Sequence, residues 1–155
     1  MLRKEPDMPK VIMTCGKICS GKSTYAQKLR LEYSAVILFG NEAGEKLDDY
    51  VCRAENYIYN KSLEIIETGT NVILDWGFWT KSERELARDF YNSHGIENEF
   101  HYINITDEEW HRRIEKRNRD ISAGRLNAYY VDSGLAEKFG RIFEPPATDE
   151  IDVLT

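Results

Sequence analysis

The stretch GKICSGKS, residues 16–23, constrains this chain more than any other segment. It follows the β-branched apolar run VIMTC (11–15) and precedes STYAQKLRLEY, which sets Ala26, Leu29 and Tyr33 on one helical stripe. A strand, a glycine-bearing turn and a helix in that order leave few folds open. In the pattern G-x-x-x-x-G-K-[ST], glycines let backbone N–H groups turn toward one anion, and the helix adds its positive end. Gly16, Lys17, Ile18, Cys19, Ser20, Gly21, Lys22, Ser23 and Thr24 are therefore candidate phosphate-binding residues. In such loops the lysine, here Lys22, reaches the β- and γ-phosphates, and the serine, here Ser23, puts its hydroxyl on Mg²⁺.

The remaining chain alternates strands and helices. AVILF (35–39), NVILD (71–75) and EFHYINI (99–105) read as strands, the first of them buried, and EIDVLT supplies a short fifth. Val51, Ala54, Ile58 and Ile65 follow a 3.6-residue period along a long helix that Gly69 ends. Thr80-x-x-Glu83 and Thr106-x-x-Glu109 have capping-box form. The first predicts a helix burying Leu86 and Phe90; the second, a helix with Trp110 and Ile114 inward. Residues 119–131 are polar and aperiodic, and Asp132 caps a last helix through Leu135, Phe139 and Phe143.

This order predicts an α/β fold, a parallel five-stranded sheet between two helical layers with right-handed crossovers. Ligands gather at the carboxyl ends of such strands. The glycine loop, residues 40–42 and Asp75 all fall there.

At 155 residues, 41% of them hydrophobic and 31% charged, the expectation is one globular domain over 1–155, with residues 1–9 a tail. A net charge of −6 argues against a general nucleic-acid binder, leaving at most a single-stranded end in a local groove. No apolar run approaches the roughly 20 residues that span a bilayer. The N-terminus MLRKEPDMPK has no apolar core of a signal peptide, so a cytoplasmic protein is expected. Cys15, Cys19 and Cys52 form no disulfide framework, and His94, His101 and His111 have no ligand-like spacing.

Asp75 closes an apolar strand, where a carboxylate can hold a Mg²⁺-bound water; with Ser23 it is the candidate metal pair. WGFW (76–79) beside it walls an acceptor pocket or packs the sheet. Arg113 and Arg117, four apart, share a helix face and lead into a lid-like segment at about 119–131. Arginines so placed close over a triphosphate and stabilise charge as it develops. Arg112 and Lys116 face elsewhere.

Together GKICSGKST, LDWGFW with the following SERELA, RRIEKRN and FEPP (143–146) resemble the small P-loop kinases grouped with zeta-toxin, chloramphenicol phosphotransferase and polynucleotide 5′-kinase. The resemblance implies a nucleoside-monophosphate-kinase-like sheet, ATP with Mg²⁺, a lid bearing the arginines, and FEPP near the adenine. One position departs from it. The loop after the second strand reads FGNEAGEK, with Asn41 where the family offers an aspartate and Glu42 one place on. An amide cannot accept the acceptor's proton, so Glu42 or Asp75 is the candidate base.

The expected activity is ATP-dependent transfer of the γ-phosphoryl group to a hydroxyl of a small acceptor: a metabolite, a nucleoside or an antibiotic-like compound. Lys22, Glu42, Asp75, Arg113 and Arg117 form its catalytic set. The alternatives are a regulatory NTPase without an acceptor and a degenerate ATP-binding protein. A GTPase is disfavoured because NKSL (60–63) lacks the aspartate of the guanine motif. Oligomeric state is left open.

Overall fold

The computed structural model describes residues 7–40 and 48–155, excepting the side chains of 48–51. Its elements run β1 (Lys10–Cys15), α1 (Lys22–Tyr33), β2 (Val36–Phe39), α2 (Asp48–Glu67), β3 (Val72–Asp75) and α3 (Lys81–Ser93). There follow β4 (Glu97–Tyr102), α4 (Asp107–Ser122), α5 (Ser133–Ile142), a 3-10 turn (Thr148–Glu150) and β5 (Val153–Leu154). The strands form one sheet in the order β2-β3-β1-β4-β5, every pairing parallel. This is the expected α/β sandwich.

β1 lies at the centre, fully buried from Val11 to Cys15 and apolar there except for Thr14. Val11, Met13 and Cys15 point to one face, where Tyr59 and Ile66 of α2, Ala87 and Tyr91 of α3, and Trp110 and Ile114 of α4 cover them. Ile12 points the other way with Ile73, onto Ala26 and Leu29 of α1. The strand alternation thus feeds two unequal cores.

Local differences from the sequence expectations have physical causes. β2 was expected to be fully buried, yet Val36 and Phe39 are exposed, because β2 forms the sheet's edge. β4 begins at Glu97 and ends at Tyr102, after which the Ile103 N–H turns to the Cys15 carbonyl at 2.9 Å. In α3, Leu86 is 62% exposed instead of buried, and Arg84 takes the inner position. Its Nε donates to Glu150 and its Nη1 to the Phe78 carbonyl, both at 2.9 Å, which satisfies the buried guanidinium.

In α2 the inward stripe is Tyr59, Ser62 and Ile66, with Ile58 and Ile65 at its margins and Ala54 exposed; the Val51 side chain lies outside the described residues. Ser62 Oγ fixes that stripe by bonding Tyr91 Oη at 2.8 Å. Helix α4 continues to Ser122, so residues 119–122 of the segment expected to be aperiodic are helical. The Asn118 amide ties the rest back, donating to the Val131 carbonyl at 2.5 Å and accepting its N–H at 2.9 Å. Among the described residues no helix is long and apolar enough to cross a membrane.

Candidate active site

Between β1 and α1 the chain turns so sharply that side chains are excluded. A Cβ on Gly16 would lie 2.8 Å from both the Ile103 carbonyl and Ser20 Oγ. Gly21 has φ 101°, in the left-handed region, and caps α1. Cys19 also has positive φ, at 60°. The loop thus enters α1 through two left-handed backbone positions, Cys19 and Gly21, at the helix end whose dipole favours an anion. Lys22, only 3% exposed, folds back so that Nζ donates to the Lys17 carbonyl at 2.8 Å. Ser23 and Thr24 follow, exposed on the first turn of α1.

Asp75 stands beside this loop because β1 and β3 are in register, Thr14 opposite Asp75. Thr14 Oγ1 donates to Asp75 Oδ1 at 3.1 Å. Asp75 Oδ2 is buried without a hydrogen-bond partner among the described residues, as is Ser20 Oγ. A buried polar atom left so costs on the order of 1–3 kcal/mol, which a bound ligand would recover. That orphan carboxylate oxygen near the loop fits a hydrated divalent cation. Among the described residues no cluster of three or more His, Cys, Asp or Glu could hold a metal alone. Mg²⁺ with phosphates needs none, since it keeps several waters and takes one or two protein ligands. Ser23 and Asp75 are the residues that would hold it.

Helix α4 clasps the loop along one face. Lys17 Nζ donates to Asp107 Oδ1 at 2.9 Å, and Trp110 Nε1 to the Ile18 carbonyl at 2.8 Å. Arg113 Nη1 donates to the Ser20 carbonyl at 2.8 Å, and Arg117 Nη1 lies 3.9 Å from Cys19 Sγ. The i, i+3, i+4 spacing puts all four on one side. Arg113 and Arg117 thus share one face, as their spacing predicted, and that face lies against the loop. Arg117 also stacks on Tyr129, 5.1 Å from the ring centroid, from the segment that follows.

Glu109 was expected to complete a capping box with Thr106. Thr106 does accept from the Glu109 N–H, but the Glu109 carboxylate turns to Arg112 and Arg113 instead, at 2.7 and 2.6 Å. Hydrogen bonds from Arg112 and Arg113 lower its pKa to about 2. Two guanidiniums, three and four residues further along the helix, outcompete one backbone N–H.

The first turn of α1 has its own anchor. Tyr25 Oη and His101 Nδ1 are 2.8 Å apart, His101 Nε2 is 2.8 Å from Glu99 Oε2, and Lys10 Nζ donates to Glu99 Oε1 at 2.5 Å. Burial pushes the Glu99 pKa up, but Lys10 and His101 outweigh it and hold it below the ordinary value.

Of the residues picked from sequence, the loop, Asp75, Arg113 and Arg117 come together. Glu42, with Asn41, lies outside the described residues. In the WGFW run Trp76, Phe78 and Trp79 are all buried, and Trp76 and Phe78 also line a small cleft. FEPP is tied to the start of α3, Glu144 donating its N–H to the Trp79 carbonyl and accepting from the Lys81 N–H, both at 2.8 Å. Sequence reasoning missed Thr14 and Asp107. Thr14 had a signal, a polar residue in an otherwise apolar central strand; Asp107 had none.

The glycine loop, the Asp75 strand and the clasping arginine helix define a P-loop kinase fold, and comparison with solved structures agrees. The APS kinase CysC of Mycobacterium tuberculosis, solved with AMPPNP and APS, is similar with a TM-score of 0.65 at 21% identity, over 97% of this chain and 89% of that one. A gluconokinase from Sinorhizobium meliloti gives 0.67 at 15% identity, covering 95% and 82%. Kti12 from Chaetomium thermophilum, in complex with ADP-AlF3, gives 0.63 at 16% identity, covering 93% and 86%. At such identities the likeness is one of fold. No curated protein matches the chain significantly. An AAA domain family model matches residues 11–136, and the chain belongs to that family.

Proposed function

We propose that the protein is an ATP-dependent phosphotransferase that moves the γ-phosphoryl group to a hydroxyl of a small-molecule acceptor. One observation carries this reading: Arg113 and Arg117 are held against loop residues Ser20 and Cys19, while Asp75, whose Oδ2 has no hydrogen-bond partner among the described residues, ends β3 in register with Thr14, two residues before the loop. Cations on two sides and a carboxylate for a metal are what transfer of a phosphoryl group needs.

The loop N–H groups and Lys22 bind the β- and γ-phosphates. Arg113 and Arg117 balance the charge that spreads over the moving group. Ser23 and, through a water, Asp75 would hold Mg²⁺, which would supply positive charge to the phosphate oxygens. Because Thr14 fixes Asp75 in that task, the base is assigned to Glu42, the first carboxylate in the sequence after β2. The acceptor oxygen forms its bond to the γ-phosphorus as the bond to the β–γ bridging oxygen breaks. ADP leaves, and the acceptor proton passes to Glu42.

The test is incubation with ATP and Mg²⁺ over a broad panel of hydroxylated compounds, read by mass spectrometry for a product heavier by one phosphoryl group. ADP release at the same rate with and without every acceptor would instead favour a regulatory NTPase.

A further inference from the structure

Helix α1 meets the sheet through few apolar contacts. Among the described residues, only Ile12, Ile73, Ala26, Leu29 and Ala35 are buried in that core. Apolar contacts are non-directional, so they set the distance of the helix from the sheet more than its place along its own axis. Directional contacts fix that place, one at each end. At the phosphate end the Tyr25 hydroxyl meets the His101 ring at 2.8 Å. At the far end the carbonyl of Tyr33, the last residue of α1, accepts from Asn71 Nδ2, also at 2.8 Å.

The two ties meet at Lys10, the first residue of β1. Its backbone N–H donates to Asn71 Oδ1 at 2.9 Å. Its ammonium bonds Glu99 and lies 4.9 Å from the centre of the Tyr33 ring. Glu99 in turn holds His101, whose ring is 3% exposed and reaches Tyr25. An ionised carboxylate only accepts hydrogen bonds, so His101 Nε2 donates to Glu99 and the ring is fixed with Nδ1 toward Tyr25. Lys10, Glu99, His101 and Tyr25 thus form one continuous polar brace beneath α1.

The brace ends beside the nucleotide site. Tyr25 lies in the same helical turn as Lys22 and Ser23. Thr14, which bonds Asp75, is opposite Asp75 in β3 and opposite His101 in β4. A shift of α1 would carry Lys22 and Ser23 away from Asp75, which stays with the sheet. Lys10 is remote from the loop: five steps of strand separate it from Cys15, about 17 Å at roughly 3.3 Å per residue.

We infer that Tyr25, His101, Glu99 and Lys10 are positioning residues that set where the phosphate-binding turn of α1 sits over Asp75, so that Lys10 controls nucleotide affinity from the opposite end of β1. This goes beyond the phosphotransferase reading and rests only on its nucleotide site. The four act through Lys22 and Ser23. Removing the Lys10 ammonium takes one partner from Glu99 and the cation from the Tyr33 ring, which loosens both ends of α1 together.

The experiment measures binding of a non-hydrolysable ATP analogue with Mg²⁺ to the full chain by calorimetry, for Lys10→Met, Tyr25→Phe and the double variant. Each single variant is expected to weaken binding about threefold to tenfold. The double variant is expected to be no more than about twofold weaker than the worse single one, because both changes break one chain. Thermal unfolding without nucleotide is recorded alongside; a role in the fold alone would lower Tm and leave affinity unchanged. Lys28→Met removes an exposed cation from the same helix and should bind as the wild type does. If Lys10→Met does not fold, Glu99→Gln, which keeps the shape of its side chain, takes its place in the cycle. A loss below about threefold in either single variant, a double variant weaker than expected, or an equal loss in Lys28→Met overturns the inference. A wild-type chain that does not bind the analogue overturns the nucleotide site, and with it both the brace and the proposed function. The expected binding order without transfer to any acceptor leaves the brace standing and removes the phosphotransferase reading alone.

Discussion

Trp110 Nε1 donates a buried hydrogen bond of 2.8 Å to the carbonyl of Ile18, joining the middle of α4 to the phosphate loop. The chain therefore holds the loop from outside as well as through β1 and α1. Trp110→Phe keeps most of the ring but strands a buried acceptor, at a cost on the order of 1–3 kcal/mol. Denaturant unfolding is expected to show that loss, and calorimetry a weaker affinity for ATP. Trp79→Phe is the control, because Trp79 Nε1 is buried without a hydrogen-bond partner and its removal breaks no such bond. Equal loss of ATP affinity in both variants would mean the clasp does not shape the loop.

Asp75 sets function against stability. Its side chain is 2% exposed, and one oxygen has no hydrogen-bond partner among the described residues. Asp75→Asn removes the buried charge, so without nucleotide the variant is expected to unfold about 1 kcal/mol later than the wild type. Turnover is expected to fall by at least about 100-fold, as for loss of a group that acts mainly in the transition state. Thermal unfolding without ligand and a product assay with ATP and Mg²⁺ check both halves. A destabilised variant would show that Asp75 is there for the fold.

Glu109 links pH to the arginines. Bonds from Arg112 and Arg113 pull its pKa from the ordinary 4.5 to about 2. A group with a depressed folded-state pKa contributes fully above its unfolded value and loses that contribution as pH falls through the folded one. The clamp on Arg113 is therefore intact above about pH 4.5, and is given up only toward pH 2. The rate profile from pH 5 to 8 should show no limb from Glu109. Glu109→Gln should lower kcat about threefold to tenfold and leave that profile's shape unchanged, because Arg113 keeps its charge but loses one of its two holds. A new limb in the variant's profile would refute this.

Several parts of this molecule were legible in the sequence for one reason: local signals and global packing agree there. The loop's glycines, the apolar β1 and the Thr80 cap each point to the geometry they adopt. The edge position of β2 was not legible, because VILF reads the same at an edge as in the middle, and strand order is set by helices far along the chain. Arg84 reads as a surface residue until Glu150, from beyond α5, meets it. Leu86 is displaced outward by the same pairing. For Arg113 and Arg117 the spacing gave the shared face, while the partner of that face, loop residues 17–20, lies about ninety positions away. Only folding brings the two together.

The base assignment makes the sharpest kinetic demand. Glu42 replaces the aspartate position occupied here by Asn41, one residue earlier. A general base acts on the acceptor hydroxyl and not on the triphosphate, so Glu42→Gln should leave ATP affinity within about twofold of the wild type. Turnover should drop by about 10²–10⁴, the range general-base catalysis contributes. Lys22→Ala should do the reverse in binding, abolishing tight affinity for the triphosphate, because its ammonium is the loop's own cation. Calorimetry with a non-hydrolysable ATP analogue and turnover of the best acceptor separate the two variants. If Glu42→Gln turns over at the wild-type rate, the proton goes to Asp75 or directly to the departing phosphate, and the carboxylate after β2 has no part in the chemistry.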